Sequence, residues 1–216
     1  MPQENHIILS KYFPTLTHHQ IEKYIQLEKI FPDINSKINL ISRKDVENVF
    51  VHHILHSLAI AKITAFDAGD SVIDIGTGGG FPGIPLAIMF PNVKFDLVDS
   101  IGKKIVAVES IINELQLKNV TAINSRAELL PAKYNFVVSR AVTAFPDFVK
   151  ICKTLFKKVD KSKKQGIIYL KGGDFAEELK NFKNIELYKI SDFFEENFFE
   201  TKKIIYLQKK QENIFD

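Results

Sequence analysis

The chain has 216 residues, of which 45% are hydrophobic and 25% are charged, and its formal net charge is +3. This length suits one domain with a small addition and allows a substantial hydrophobic core. The single cysteine excludes a disulfide framework, and no apolar run approaches the roughly 18 residues of a membrane helix. Because residues 1–13 also lack the apolar centre of a signal peptide, we expect a cytoplasmic protein without membrane association.

The first third of the chain is predicted to be helical. Apolar residues recur at helical spacing over residues 16–31, and Pro32 is expected to end this helix. A polar connector containing Asn35 and Asn39 then leads to a second predicted helix over residues 45–63. These helices make up an N-terminal extension to the rest of the chain.

From residue 71 onward, short apolar runs alternate with helical segments. Strands are predicted at 72–75, 93–98, 120–123, 136–138 and 166–170, and helices at 84–90, 103–117, 145–156 and 174–181. This alternation indicates a parallel sheet covered on both faces. The last two predicted strands, 185–190 and 203–207, are too close in sequence for a helical crossover and must pair antiparallel.

The predicted fold is therefore α/β, with a seven-stranded, mostly parallel sheet and a C-terminal antiparallel hairpin. This architecture resembles the Rossmann-like fold of class I S-adenosylmethionine methyltransferases. We assign residues 1–66 to the helical extension and residues 67–216 to one compact methyltransferase domain. The lysine-rich segment 157–164 is predicted to be a solvated loop.

The strongest signal for a binding site is a glycine-rich segment, Asp-Ile-Gly-Thr-Gly-Gly-Gly-Phe-Pro-Gly at residues 74–83, directly after the first strand. Such a turn lets a ligand approach the backbone closely. No Gly-Lys-Ser/Thr ending is present, which excludes a phosphate-binding P-loop. The Gly-x-Gly-x-x-Gly pattern of dinucleotide-binding folds fits only in a register that begins at Gly78, which is two residues too far from the end of the strand. The register that begins at Gly76, after an acidic residue, is typical of methyltransferases.

Further candidate residues follow the next three strands. Asp99 ends the second strand, 23 residues after Gly76, where a carboxylate can accept hydrogen bonds from ribose hydroxyls. Ala127 and Glu128, after the third strand, are placed to contact an adenine. Arg140 follows the fourth strand and is one of only three arginines in the chain. Its planar guanidinium suits either the carboxylate of methionine or an RNA phosphate.

The absence of certain residues narrows the kinds of atom that could accept the methyl group. Segment 138–142 lacks the Asn-Pro-Pro-Tyr type of box that binds an exocyclic amine. Cys152 lies within an apolar helix and is predicted to pack there rather than to attack a pyrimidine. No lysine or histidine stands beside the glycine loop in the sequence as a base. A target with a free lone pair, such as guanine N7, needs none of these groups and only in-line alignment.

A metal site is not expected. His52 and His56 stand four residues apart on a predicted helix, but nothing nearby in the sequence completes a ligand set.

The chain resembles the RsmG (GidB) family of bacterial small-subunit ribosomal RNA methyltransferases. The similar segments are 35–42, 53–58, 72–86, 98–104, 125–128, 139–141 and 170–172. The resemblance implies transfer of a methyl group from S-adenosylmethionine to N7 of guanine 527 in 16S rRNA, without a general base. It also implies that the region of Asn35, Asn39 and His53 supports the RNA side.

The predicted site combines these arguments. Arg140 is the predicted catalytic residue, and the predicted cofactor contacts are Gly76, Gly78, Phe81, Asp99, Ala127, Glu128 and Arg140. We expect the partner to be 16S rRNA or the 30S subunit, and the protein to be a monomer.

Three other functions stay open at this point. The first is a methyltransferase that acts on a protein or a small molecule, the second a dinucleotide-dependent oxidoreductase, and the third a non-catalytic RNA-binding protein. Basic residues expected near the mouth of the site favour RNA, because phosphate contacts dominate nucleic-acid affinity; they are Arg43, Lys44, Lys103, Lys104, Arg140 and Lys171.

Overall fold

A computed structural model of the chain describes residues 2–158 and 164–209, so most of the predicted loop 157–164 lies outside the described residues. Its centre is a seven-stranded sheet in the order β3-β2-β1-β4-β5-β7-β6. The strands are β1 (Ser71–Ile75), β2 (Lys94–Asp99), β3 (Val120–Asn124), β4 (Phe136–Arg140), β5 (Gly166–Gly172), β6 (Ile185–Lys189) and β7 (Lys202–Gln208).

The strand pairing confirms the predicted α/β sheet. The first five strands pair in parallel, and β7 runs antiparallel to both β5 and β6. The strand order reverses between β1 and β4, because β2 and β3 are added on one side of β1 whereas β4 and β5 are added on the other. Ligands of open α/β sheets bind at such a switch point, outside the carboxyl ends of the strands.

Helices cover both faces of this sheet. They are α1 (Pro2–Tyr12), α2 (His18–Lys37), α3 (His56–Leu58), α4 (Ile60–Ile63), α5 (Gly83–Met89), α6 (Gly102–Glu114), α7 (Phe145–Cys152) and α8 (Ala176–Leu179). Short 3₁₀ helices occur at Arg43–Asn48, Ala127–Leu129, Ile190–Asp192 and Asn197–Phe199. Among the described residues, none of the helices has both the length and the apolar character to cross a bilayer.

The prediction that Pro32 ends a helix is wrong. Helix α2 runs through Pro32 and continues to Lys37. Pro32 is exposed, so water can reach the backbone carbonyl that loses its helical partner there. The turns on either side are held on the inner face by Phe31 and Asn35, which are both buried.

The prediction of one regular helix over residues 45–63 is also wrong. The segment is helical throughout most of its length, but it consists of the 3₁₀ helix Arg43–Asn48, a π-helix at Phe50–Leu55, and the short helices α3 and α4. A π-helix turn changes the direction of the side chains that follow it and is frequent at functional sites. Here this turn carries His52 and His53.

Two hydrophobic layers pack on opposite faces of the sheet, as the alternation of side chains along each strand requires. One layer contains Phe148 and Tyr169 and lies beneath α7. The other is larger and joins the N-terminal helices to the sheet, with Leu27 and Phe31 packed in the same cluster as Phe81. The predicted boundary between residues 66 and 67 stays a prediction, and the hydrophobic core continues across it.

Candidate functional site

A cleft of about 400 Å³ opens at the carboxyl ends of β1 to β4. We call it the central cleft, and its lining residues are Ile75, Gly76, Val98, Asp99, Ser100, Lys104, Ser125, Arg126, Ala127, Glu128, Arg140, Ala141, Val142 and Ile151. It brings together five of the seven predicted site residues, namely Gly76, Asp99, Ala127, Glu128 and Arg140. These five come from the ends of four strands, which the parallel pairing places side by side.

The glycine loop contributes Gly76 to the floor of the central cleft. Its first amides are fixed to the neighbouring strand, because Gly76 and Thr77 both donate hydrogen bonds to the backbone oxygen of Val98, at 2.8 and 3.0 Å. Gly76 has φ of +67°, and a Cβ on it would lie 2.5 Å from Cγ2 of Val142. Only glycine fits this position without strain, and its bare backbone leaves room for a ligand to approach.

Asp74 supports the glycine loop from below. Its Oδ2 accepts hydrogen bonds from Oγ1 of Thr77, at 2.7 Å, and from the amide of Gly83, at 2.9 Å. The side chain is fully buried and its Oδ1 has no hydrogen-bond partner among the described residues. Burial therefore raises the pKa of Asp74 to about 7, although the two hydrogen bonds act in the opposite direction.

Asp99 lines the wall of the cleft, and each of its carboxylate oxygens accepts one hydrogen bond from the backbone. Oδ1 accepts a hydrogen bond from the amide of Ile101 at 2.9 Å, and Oδ2 accepts one from the amide of Gly78 at 3.1 Å. Lys104 lies 3.5 Å from Oδ2 and forms an ion pair with it. Because a carboxylate oxygen can accept two hydrogen bonds, Oδ1 keeps the capacity to accept another from a ligand hydroxyl.

Arg140 extends from the end of β4 between the central cleft and the N-terminal segment. Its Nη1 donates a hydrogen bond to the backbone oxygen of His52 at 3.1 Å, and its Nη2 lies 2.7 Å from Nδ1 of His53. The ring of Phe81 lies beneath the guanidinium, with 5.5 Å between Cζ and the ring centroid. Burial lowers the pKa of Arg140 to about 10, so the group stays cationic at neutral pH.

Two predicted contacts lie behind the cleft lining rather than in it. Gly78 uses its amide to hold Asp99, and Phe81 is 2% exposed and packs between Phe31 and the guanidinium of Arg140. Their predicted contact with a cofactor stays a prediction. In the structure, both residues position side chains that do line the cleft.

Several residues at the site were not predicted there from the sequence. Lys104 was expected near the mouth of the site and does line the cleft. No histidine was expected beside the glycine loop, but His53 lies 5.1 Å from Phe81 between ring centroids. Val142 and Ile151 also line the cleft and carried no sequence signal.

Other predicted residues have structural partners. Asn35 accepts hydrogen bonds from the amides of Leu40 and Ile41, both at 2.9 Å, and so closes the loop after α2. Lys171 donates to both carboxylate oxygens of Glu178, at 2.7 and 2.6 Å. Cys152 is fully buried, which confirms its predicted packing role.

His52 and His56 are held apart by different surroundings. His52 stacks on Phe198 with 3.8 Å between ring centroids, and its Nδ1 lies 2.5 Å from Oδ1 of Asp45. His56 is buried, its Nε2 has no hydrogen-bond partner among the described residues, and burial holds its pKa well below the ordinary value. Within the part of the chain that the structure describes, no three His, Cys, Asp or Glu side chains form a group that could hold a metal ion.

The fold is shared with solved methyltransferase structures. TYW2 from M. jannaschii, solved in complex with AdoMet, is 16% identical with a TM-score of 0.53, and the match covers 72% of this chain and 74% of that one. A SAM-dependent methyltransferase from Aquifex aeolicus is 16% identical with a TM-score of 0.52, covering 70% and 88%. These likenesses confirm the predicted class I methyltransferase fold.

Relatives of much higher identity identify the family. Proteins named "Ribosomal RNA small subunit methyltransferase G" from Flavobacterium johnsoniae and Christiangramia forsetii are 54% and 51% identical, cover 93% and 94% of this chain, and are themselves covered over 96% and 97% of their lengths. The sequence profile of the family described as "rRNA small subunit methyltransferase G" matches residues 18–209. The matches confirm the prediction of a methyltransferase that uses S-adenosylmethionine. The chain belongs to the GidB family of rRNA small subunit methyltransferase G proteins.

Proposed function

We propose that this protein methylates 16S rRNA at N7 of a guanine, guanine 527, with S-adenosylmethionine as methyl donor. The observation that carries the proposal is the central cleft, in which a bare glycine backbone, a strand-end carboxylate and a half-buried arginine meet at one edge of the sheet. The name of the relatives, ribosomal RNA small subunit methyltransferase G, supports an RNA of the small ribosomal subunit as substrate.

The residues of the central cleft fit the parts of the donor. Gly76 leaves its backbone open where a side chain would clash with Val142, and Oδ1 of Asp99 can accept a hydrogen bond from a ribose hydroxyl. Ala127 and Glu128 stand across the cleft, where they contact the adenine in our proposal. The guanidinium of Arg140 binds the methionine carboxylate, and the neighbouring Gly78 and Phe81 complete the site from behind.

The titratable groups around the cleft favour an acceptor that has no proton to lose. When bound, S-adenosylmethionine supplies an electrophilic methyl group on a sulfonium sulfur. Lys104 is paired with Asp99, and both ring nitrogens of His53 are engaged, by Arg140 and by Asp45. Guanine N7 carries a free lone pair, so the protein has only to align the base and exclude water.

The RNA side of the site is formed in our proposal by exposed basic residues at the cleft mouth. Arg126 lines the cleft and is exposed, and Lys103 is exposed on the first turn of α6. Arg43 and Lys44 are exposed on the N-terminal side. These cations would contact phosphates of 16S rRNA or of the 30S subunit, with the protein acting as a monomer in the cytoplasm.

Methylation of purified 16S rRNA and of 30S subunits with a radiolabelled methyl donor tests the proposal. We expect incorporation that maps, by reductive cleavage at N7-methylguanine, to a single guanine at position 527. Label on an exocyclic amine, on protein, or on another guanine would overturn the assigned target. Failure of the purified protein to bind S-adenosylmethionine in a calorimetric titration would overturn the proposal as a whole.

A further inference from the structure

A chain of three side chains links the N-terminal segment to the central cleft. Oδ2 of Asp45, on the 3₁₀ helix, lies 2.6 Å from Nε2 of His53, and Nδ1 of His53 lies 2.7 Å from Nη2 of Arg140. The same Asp45 contacts Nδ1 of His52 through its other oxygen, and the backbone oxygen of His52 accepts a second hydrogen bond from Arg140. The guanidinium is therefore held at two of its nitrogens by one short helical segment.

The charges along this chain fix the direction of each hydrogen bond. His53 is buried, and burial together with the nearby Arg140 lowers its pKa to about 4, so the imidazole is neutral at pH 7. A neutral imidazole that accepts from Arg140 at Nδ1 must carry its proton on Nε2, where it donates to Asp45. The carboxylate of Asp45 on the far side of the ring holds this tautomer, as carboxylates that hydrogen-bond to functional histidines do.

Among the described residues, the guanidinium of Arg140 hydrogen-bonds only to His52 and His53. A guanidinium has five N–H donors, and two of them are engaged by His52 and His53. Arg140 also lines the central cleft, and Phe81 supports it from beneath. The remaining N–H groups are therefore available to an anionic ligand in the cleft.

We propose that Asp45 and His53 are positioning residues, which hold the guanidinium of Arg140 in the orientation that binds the carboxylate of the methyl donor. This inference rests on the proposed function, because it assigns the partner of Arg140 within that site. A planar guanidinium binds a carboxylate best through two parallel hydrogen bonds, so a small rotation of its plane weakens the pair. Neither Asp45 nor His53 lines the central cleft, and among the described residues the only cleft-lining side chain that hydrogen-bonds to this pair is Arg140, through His53.

Two nucleoside ligands separate this role from a purely structural one. S-Adenosylhomocysteine carries the amino-acid carboxylate, whereas 5′-methylthioadenosine has the same adenosine and sulfur without it. We expect His53→Gln and Asp45→Asn to weaken the calorimetric affinity for S-adenosylhomocysteine about tenfold, as for the loss of a well-oriented charge-assisted hydrogen bond. The affinity for 5′-methylthioadenosine should change less than about twofold.

Matched variants serve as controls. Glu47→Gln makes the same change of charge as Asp45→Asn on the same 3₁₀ helix, at an exposed side chain, and should leave both affinities unchanged. His53→Asn places an amide oxygen near the position of Nδ1 and should retain more affinity for S-adenosylhomocysteine than His53→Gln. If the His53 variants do not fold, the Asp45 and Glu47 variants make the same comparison alone.

The outcomes distinguish this inference from the proposed function. An equal loss of affinity for both ligands would show that the pair only stabilises the site, and unchanged affinity for S-adenosylhomocysteine would show that it does not act on Arg140. Either result overturns the inference while wild-type methylation of 16S rRNA stands. A wild-type protein that binds neither ligand would overturn both.

Discussion

Replacing Gly76 by alanine tests whether the bare backbone of the glycine loop is the floor of the donor site. The substitution has two consequences for the free protein. Alanine is strained at φ of +67°, and its Cβ would lie 2.5 Å from Cγ2 of Val142. The left-handed backbone costs roughly 1–2 kcal/mol for a residue with a Cβ. The overlap adds about 1 kcal/mol, near the lower end for overpacking, because Val142 is 43% exposed and can move.

Gly69→Ala is a matched control for the energetic cost of placing alanine in a left-handed backbone conformation. Gly69 has φ of +87°, but no atom lies within 4 Å of the position of its Cβ, and it does not line the central cleft. For a chain of this size each kcal/mol lowers Tm by about 2–4 °C. We therefore expect Gly69→Ala to lower Tm by about 2–8 °C and Gly76→Ala to lower it by about 4–12 °C.

Donor affinity separates the two variants more sharply than stability does. A methyl group on the cleft floor should weaken binding of S-adenosylmethionine at least tenfold, which is about 1.4 kcal/mol, whereas Gly69→Ala should bind as the wild type does. Adding Val142→Ala to Gly76→Ala removes Cγ2 and leaves only a Cβ contact of 3.6 Å. The double variant should therefore regain the part of the Tm that Gly76→Ala loses to the steric overlap. Wild-type donor affinity in Gly76→Ala would refute the assignment of the floor.

Three further predictions concern single residues. Burial raises the pKa of Asp74 from 3.8 to about 7, so the folded state retains a proton that the unfolded chain releases. The free energy of unfolding therefore falls as pH rises from about 4 to 7. Asp74→Asn lacks this titration, so its stability relative to wild type should increase from pH 5 to pH 8 in urea titrations. Asn35→Ala removes the acceptor of two backbone amides and should lower the free energy of unfolding by about 2 kcal/mol, measured the same way. Arg140→Ala should abolish methylation of 16S rRNA while circular dichroism shows a retained fold, and wild-type turnover would contradict its assigned role.

The sheet and the glycine loop could be predicted because their signals are local. Each strand is a short apolar run bounded by turn residues, and the short connection between the last two strands dictates an antiparallel pair. Gly76 directly follows β1 and Asp99 is the last residue of β2, so the parallel pairing of these strands alone brings them to one edge of the sheet. Local pattern and tertiary structure agree at these positions.

The N-terminal part of the site could not be predicted because its determinants are distant in sequence. His53 and Arg140 are 87 residues apart, and nothing near either residue indicates the other. Helical periodicity over residues 45–63 is present, but it does not distinguish an α-helix from the π-helix that aims His53 at the sheet. Pro32 was misread for a related reason, since whether proline ends a helix depends on the exposure of the turn before it.

The position of Phe81 explains why the helical extension and the sheet form one functional unit. Phe81 belongs to the glycine loop, but its ring is enclosed by Phe31 of α2, by His53 of the π-helix and by the guanidinium of Arg140. The N-terminal segment therefore buries the back of the donor loop and supplies both acceptors that hold Arg140. A sheet without that segment would expose Phe81 and leave the Arg140 guanidinium without its two acceptors. The elements that we assign to RNA binding and to donor binding are thus joined through one arginine.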